Sequence, residues 1–529
     1  MAVLSLLALA SLALAQTSLD SFFPPASVVG FPGPTPTGNE PFEVATGPAA
    51  PAQTDYFPLV RFRPSDEAAN GTYDPFAVSF GNLSPALSLP PTTFSPAFVN
   101  SSALIPPQCT LSQVHLLHRH GSRYPTSGSA PASFGVKVAN NTGKFNASGA
   151  LSFLNTWKYG LGAEILTPFG REQLFDLGVS FRVKYGHLLD AFGNGTLPVF
   201  RTTSEDRMLK SALNFAAGFF GIPYEDQYHQ SIIIEATGFN NTLAPYETCT
   251  NGNNANGAAG TTATNDWVAI YLKDAAARLS ALSGGLNITA SDAYAMQQVC
   301  AYEINSLGYS DFCPLFTQAE FQGFEYSFDL GFWYSNFFGA PVAAAEGIGY
   351  VQELVSRLTQ TPIATHNSTT NSTLDNSAIT FPLNQPIYVD ASHDTVISAI
   401  IVALNFSSLA ATGPLPTDHI PANRSFIVSQ VAPFGTQLVG QVLNCTSGAG
   451  PAQSYIRWLL NDASVPLTNV PGCTADPYGR CLTSTWVSAM KTRIEQVSFA
   501  NDCLANYTIT DVIGANITDG RPPASAVFH

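Results

Sequence analysis

Charge is scarce in this sequence. Only 11 % of its 529 residues are Asp, Glu, Lys or Arg, against about 25 % in ordinary globular proteins. Bases are the scarcest: 22 Lys and Arg face 37 acids, for a formal net charge of −15 and a pI near 4.9. That shortage excludes a general nucleic-acid binder, which needs a basic footprint. There is no C-x-x-C pair, so the cysteines carry no structural-zinc spacing. Beyond the first residues no apolar run approaches the roughly 20 positions that a membrane span requires. No internal repeat is present. Disorder is excluded by a hydrophobic content of 45 %, enough to bury a core.

What is present begins with a compartment signal. Leu4 to Ala15 is an apolar run ending Ala13-Leu14-Ala15, read as a secretory signal peptide (1–15) cleaved after Ala15. Its n-region has no Lys or Arg, but the run is too short for an anchor. The 8 cysteines, an even number, suit disulfides in an oxidising compartment. N-x-S/T sequons recur, among them Asn70, Asn82, Asn146, Asn194, Asn240, Asn287, Asn367, Asn371, Asn405 and Asn516. Glycans there would supply the surface polarity that charged residues do not.

Residues 16–100 are rich in Pro, Ser, Thr and Gly and read as an extended arm with little core, order beginning near Cys109. Val114, Leu116 and Leu117 predict a strand that ends at His118-Arg119-His120-Gly121. Helical periodicity covers Thr167–Leu189, Ser211–Phe220, Asp266–Leu282, Ser291–Ser306 and Ala345–Leu358. Asn251–Thr264 and Asn367–Asn376 read as loops. Ile387-Tyr388-Val389 predicts a second strand, Asp390–Asp394 a polar loop and Thr395–Leu404 a helix. Strand–loop–helix order marks an α/β sheet, whose chemistry collects beyond the carboxyl ends of its strands.

Three segments carry chemistry. In Arg119-His120-Gly121-Ser122-Arg123-Tyr124-Pro125 two guanidinium forks flank a histidine. Arginine matches phosphate oxygens bidentately. Nearby cations depress an imidazole pKa and keep its lone pair available for attack, and Gly121 lets an anion approach the backbone. In Ser392-His393-Asp394, at a helix start, His393 suits a phosphate oxygen and Asp394 suits a general acid; the plainer reading is that Ser392 or Asp394 caps the helix. In Thr203-Ser204-Glu205-Asp206-Arg207, Ser204 is the expected N-cap and Glu205 and Asp206 fit a first turn. Arg207 does not, because a cation is unfavourable at a helix N-terminus. Its place there suggests a bound anion; an Asp–Arg surface pair is the alternative. His115 and His118 are read as structural.

Together these segments resemble the histidine acid phosphatase family. The first matches its R-H-G-x-R-x-P signature, His393-Asp394 its late H-D pair, and Arg207 the arginine opening a helix between them. Within it the chain is similar to the secreted fungal phytase branch from about Cys109 to Cys503, through Leu161-Gly162-Ala163, Leu166–Gly170, Gly347–Leu354, Thr380–Asn384 and Leu460-Asn461-Asp462. The resemblance implies a phosphoglycerate mutase-like α/β sandwich domain beside a smaller, mostly helical one. The catalytic domain would span 101–529, its α/β core about 101–130, 195–250 and 380–510 and its helical part about 131–194 and 251–379. It implies the pairs Cys109–Cys445, Cys249–Cys503, Cys300–Cys313 and Cys473–Cys481. It assigns His120 as nucleophile, Asp394 as proton donor, and Arg119, Arg123, Arg207 and His393 as phosphate ligands. No metal or cofactor is required. The expected partner is a small phosphorylated substrate, handled by a secreted monomer with no membrane span.

Some positions depart from that branch. Lysines that follow the signature in some fungal phytases are missing, since no base precedes Lys137. A lysine pair is replaced near Gly331 and Phe332, and the late motif reads His-Asp-Thr where many fungal phytases have His-Asp-Asn. Phytate and general phosphomonoesters therefore both remain candidate substrates. Two other classes compete: a metal-dependent hydrolase using His118 and His120 as an H-x-H pair, and a secreted glycoprotein that keeps the fold without catalysis. An intracellular mutase-like transferase shares the R-H-G logic but conflicts with the secretory features.

Overall fold

The computed structural model describes residues 35, 37, 38, 79–98, 101–193, 196–446 and 451–529. The signal peptide, most of the Pro-rich arm and the sequons at Asn70 and Asn194 lie outside them. The chain divides into an N-terminal unit, Met1–Pro36, of which only Thr35 is described, and a main unit, Thr37–His529.

The main unit is built on one mixed sheet: β1 (Cys109–Arg119), β2 (Val199–Thr203), β3 (His229–Ile233), β4 (Ile387–Ser392), β5 (Gln437–Cys445), β6 (Gln453–Leu460), β7 (Ala463–Ser464) and β8 (Cys481–Leu482). The order is β3-β2-β4-β1-β5-β6-β7, with β8 on β6. β1 to β4 run parallel, and β5 and β6 are antiparallel to their neighbours. The helices are α1 (Ala130–Asn140), α2 (Pro168–Tyr185), α3 (Asp206–Phe220), α4 (Ala259–Tyr271), α5 (Lys273–Leu282), α6 (Ala290–Leu307), α7 (Gln318–Asn336), α8 (Ala343–Thr359), α9 (Asp394–Ala403) and α10 (Thr483–Gln496).

The alternation of strand side chains divides the apolar core. Val114, Leu116, Ile387 and Val389 pack with Phe181 and Tyr185 of α2 and Phe215 and Phe219 of α3. Leu117 points to the other face, among Ile348 and Val351 of α8 and Val396 and Ile400 of α9. A separate core joins α1, α5 and α6 through Phe134, Leu279, Met296 and Val299. Not every helix within 131–194 and 251–379 joins this core. α2 and α8, which fall inside 131–194 and 251–379, cover the two faces of the sheet, because their apolar stripes meet strand residues.

The arm is not coreless throughout. Phe80 and Leu83 are buried in the helical core, and Gly81–Leu83 forms a turn of 3-10 helix. Order therefore begins before Cys109, as two aromatic or aliphatic side chains suffice to pin a short segment. Inside the stretch 251–264, read as a loop, α4 begins at Ala259, and Asn367–Asn376 holds a short helix at Ser372–Asp375. The cysteines join as Cys109–Cys445, Cys249–Cys503, Cys300–Cys313 and Cys473–Cys481. The first closes the antiparallel β1–β5 pair, where the two residues face each other in register. Among the described residues no helix is long and apolar enough to cross a membrane.

Candidate active site

Register builds the site. Arg119 of β1 is paired with Ser392 of β4, parallel. The next residue on each chain is a histidine, so His120 and His393 leave the sheet side by side, rings 5.8 Å apart and edge-on. Thr203 of β2 is paired with Ile233 of β3. Beyond these ends come Glu205 and Arg207 on one chain and Glu235 on the other. Four parallel strands thus deliver their polar residues to one edge.

His120 is buried. Its Nδ1 lies 2.8 Å from the Gly121 carbonyl oxygen, which can only accept, so Nδ1 carries the proton and the neutral ring keeps its lone pair on Nε2. Its pKa is held well below the ordinary histidine value, first by burial and then by Arg119, Arg207, Arg123 and His393. Arg119 is fully buried, its guanidinium 4.4 Å from the centre of the Phe434 ring. Its Nη1 donates to the carbonyls of Asn82 and Ala432, and its Nη2 forms an ion pair with Asp394 Oδ2 at 2.6 Å. Arg123 donates through Nη1 to Tyr124 O at 2.9 Å. The Nε atoms of Arg119, Arg123 and Arg207 are buried without a hydrogen-bond partner among the described residues. Buried donors of this kind favour an anionic ligand.

Asp394 opens α9. Its Oδ2 accepts from Asn82 Nδ2 at 2.8 Å and its Oδ1 from the Thr395 amide at 2.9 Å. Burial favours its neutral form, but Arg119, the Asn82 amide, Arg123 and His393 outweigh burial and hold its pKa below the usual aspartate value. Neither residue proposed as a helix cap acts as one. His393 occupies the N-cap position, and Ser392 Oγ donates to Leu243 O at 2.7 Å.

At α3 the N-cap is Glu205, one residue later than Ser204, and its side chain does not cap. Ser204 Oγ accepts from the Glu235 amide at 3.0 Å. Arg207 is held on both terminal nitrogens, Nη1 by Glu164 Oε2 at 3.2 Å and Nη2 by Glu205 Oε2 at 2.7 Å. The alternative of an Asp–Arg surface pair is not what Asp206 forms, since it meets Lys210 Nζ at 3.0 Å. His393 Nε2 lies 3.2 Å from Glu235 Oε2. Burial works against the Glu235 charge, yet His393 together with the Thr203 and Tyr246 hydroxyls pulls its pKa down to about 2.

Gly121 also has a packing use. A Cβ there would lie 2.1 Å from Gly170 O, and one on Gly170 would lie 1.9 Å from Ser122 O. The missing side chains let the start of α2 sit directly on the signature loop. His118 does not pair with His120. Its ring stacks on Phe215, centroids 5.3 Å apart, and burial pulls its pKa down to about 4. His115 stacks on Tyr388 and burial takes it to about 3. Among the described residues the three donors that could share a cation are Glu205, Glu235 and His393, but Arg207 faces the first and the two others face each other.

Sequence reasoning did not anticipate Asn82, Glu164, Glu235, Ala432 or Phe434 at this site. Asn82 was visible only as a sequon, and its amide nitrogen is engaged with Asp394. The others lie in no motif.

An α/β sheet that gathers a neutral histidine, three arginines and a carboxylate at one edge has the build of a histidine phosphatase. The chain belongs to the histidine phosphatase superfamily, branch 2, the histidine acid phosphatases, whose family model matches residues 110–461. It is 32 % identical over 428 residues to Phytase A of Aspergillus fumigatus, covering 77 % of this chain and 89 % of that one. It is 31 % identical over 405 residues to Phytase A of Aspergillus oryzae, covering 73 % and 83 %. Among solved structures it is similar to the phytase from D. castellii, with a TM-score of 0.65 and 27 % identity, over 86 % of this chain and 93 % of that one.

Proposed function

We propose that this histidine acid phosphatase is a secreted phytase, acting on myo-inositol hexakisphosphate through a phosphohistidine. The observation that carries the reading is the His120 tautomer. With Nδ1–H given to Gly121 O, the ring offers Nε2 as a nucleophile amid three guanidinium groups. Nε2 attacks phosphorus, the bond from phosphorus to the ester oxygen breaks, and Asp394 passes its proton to the leaving oxygen. Water then attacks phosphorus, Asp394 takes a proton back, and the nitrogen–phosphorus bond breaks. Arg119, Arg123, Arg207 and His393 hold the phosphoryl oxygens and stabilise the charge they carry in the transition state. The low pKa of Asp394 favours acid conditions for its donor role, and a bound phosphate dianion raises that pKa by like-charge repulsion.

Similarity to two fungal phytases over most of their length supports the substrate, and pairing of all eight cysteines supports secretion. A second reading, a broad acid phosphatase, has its own support. Lys137, the first base after the signature, is bound to Asp292 Oδ2 and Asn287 O, each at 2.6 Å. Gly331 of α7 receives Gly260 of α4, where a Cβ would lie 2.1 Å from the Gly331 carbonyl, and Phe332 is in the core. These positions offer no cation to a polyphosphate.

The test is phosphate release from phytate and from p-nitrophenyl phosphate at acid pH with EDTA present, using His120→Ala as the blank. Turnover of both substrates, lowered at least about a thousandfold in the variant, is the expected result. Cleavage of the small ester alone selects the second reading. An active His120→Ala protein, or activity lost to EDTA, overturns the mechanism.

A further inference from the structure

One carboxylate in the site has no place in the mechanism above. Glu205 Oε2 lies 2.7 Å from Arg207 Nη2 and 3.8 Å from His393 Nε2. It therefore stands between two of the groups assigned to phosphate, where an oxygen of the substrate would sit. Its side chain is not a helix cap, although it occupies the N-cap position. The other terminal nitrogen of Arg207 is taken by Glu164. Both terminal nitrogens of Arg207 are thus engaged by carboxylates, and a phosphate that takes them as a fork competes with Glu205 and Glu164 for this guanidinium.

We propose that Glu205 is a specificity-determining residue, an internal competitor that substrate phosphate displaces from Arg207 and whose protonation releases that arginine at acid pH. The inference rests on the phosphatase reading and extends it to the choice of substrate and of pH.

The surroundings of Glu205 support protonation on the acid side. Burial raises its pKa, Arg207 and His393 oppose the rise, and Glu235 and Glu164 add to it. Arg123 and Tyr246 also feel its charge. Raised means that the neutral acid persists to higher pH than for an ordinary glutamate. Below that pKa the competitor is uncharged and its hold on the guanidinium weakens. Above it, Glu205 presents a negative charge to an incoming ester. A substrate with several phosphates meets more repulsion than a small monoester, so the penalty grows with substrate charge.

The test compares the full-length protein with Glu205→Gln, which keeps the shape without the charge, and Glu205→Ser, which removes both. kcat/KM for p-nitrophenyl phosphate is measured between about pH 3 and pH 6.5, a window chosen to span carboxylate titration, and inorganic phosphate affinity is measured by calorimetry at the same pH values. Both variants are expected to match the wild type at the acid end. Near neutrality they are expected to gain about tenfold in kcat/KM, mainly through KM, as removal of one charged competitor allows. Phosphate affinity should rise in parallel. A uniform loss of activity at every pH overturns the proposal, because Glu205 then positions Arg207 instead of competing for it. An unchanged pH profile overturns it as well. Phosphate affinity that rises in the variants while no protein hydrolyses the ester supports the competitor and overturns the phosphatase reading. Absence of both hydrolysis and phosphate binding overturns both.

Discussion

Asn82 and Asp394, 312 positions apart, are joined by a hydrogen bond of 2.8 Å from the asparagine amide to the carboxylate oxygen that also meets Arg119. A turn before the first strand thereby completes the environment of the proposed general acid. The same turn offers the Asn82 carbonyl to Arg119.

Asn82→Ala removes a hydrogen bond that favours the charged form of Asp394. The aspartate pKa will rise, so the protonated donor will persist to higher pH. The limb of the kcat profile on which the general acid is lost will move to higher pH, by about half a unit to one unit for a single bond to a carboxylate. Mass spectrometry of the secreted protein supplies an independent check. The amide nitrogen of Asn82 is engaged, so the sequon Asn82-Leu83-Ser84 will carry no glycan, whereas Asn146, Asn240 and Asn287 are exposed and open to modification.

Asp394→Asn separates the donor role from phosphate binding. Esters whose leaving alkoxide needs a proton will lose roughly a hundredfold to ten-thousandfold in kcat. p-Nitrophenyl phosphate, whose leaving group departs as a stable phenolate, will lose much less. Equal losses on both substrates would show that Asp394 serves chiefly to hold Arg119.

Asp390 sits three residues before His393 and ties β4 to its surroundings. Arg201 Nε meets its Oδ1 at 2.6 Å, Arg357 Nη1 meets its Oδ2 at 2.5 Å, and Arg201 Nη2 reaches Glu353 at 2.7 Å. All four side chains are buried. Asp390→Ala leaves two buried guanidinium groups with one carboxylate between them and will cost about 3–5 kcal/mol in chemical denaturation. The carboxylate pKa is depressed: burial opposes its charge but the two arginines prevail. A depressed pKa contributes stability that is complete above the unfolded value near 4 and declines only as pH falls below it. The network therefore persists through mildly acid conditions, and the cost of Asp390→Ala will be the same at pH 5 as at pH 7.

Glu346, in the first turn of α8, has the opposite sign. It is buried, its Oε1 lies against Gly252, and burial pushes its pKa up to about 8. The folded state holds this proton where the unfolded chain has released it. Stability from this group is thus present below the unfolded value and is lost as pH rises through about 8. Thermal unfolding will occur at higher temperature at pH 5 than at pH 8, and Glu346→Gln will remove part of the difference. The gain at pH 8 will be on the order of a few kcal/mol. Melting curves at the two pH values decide it.

The candidate chemistry is legible in the sequence where it lies in contiguous stretches. Arg119, His120 and Arg123 are within five positions of one another, and His393 and Asp394 are adjacent, so residue type and strand context mark them as candidates before any folding is considered. The two segments that hold the proposed nucleophile and acid could be read as strand ends because apolar runs precede both. What the sequence did not determine is which surroundings those residues receive. Asn82, Glu164, Glu205 and Glu235 come from four separate segments, and their meeting depends on the parallel pairing of β1 with β4 and of β2 with β3 and on burial of Phe80 against Phe321 and Phe324 of α7. The use of Gly121 for packing on Gly170 depends likewise on where α2 comes to rest. Motifs report the residues a reaction needs. The charge and protonation of each one depend on distance and burial, and those are set only when strands distant in sequence pair in register.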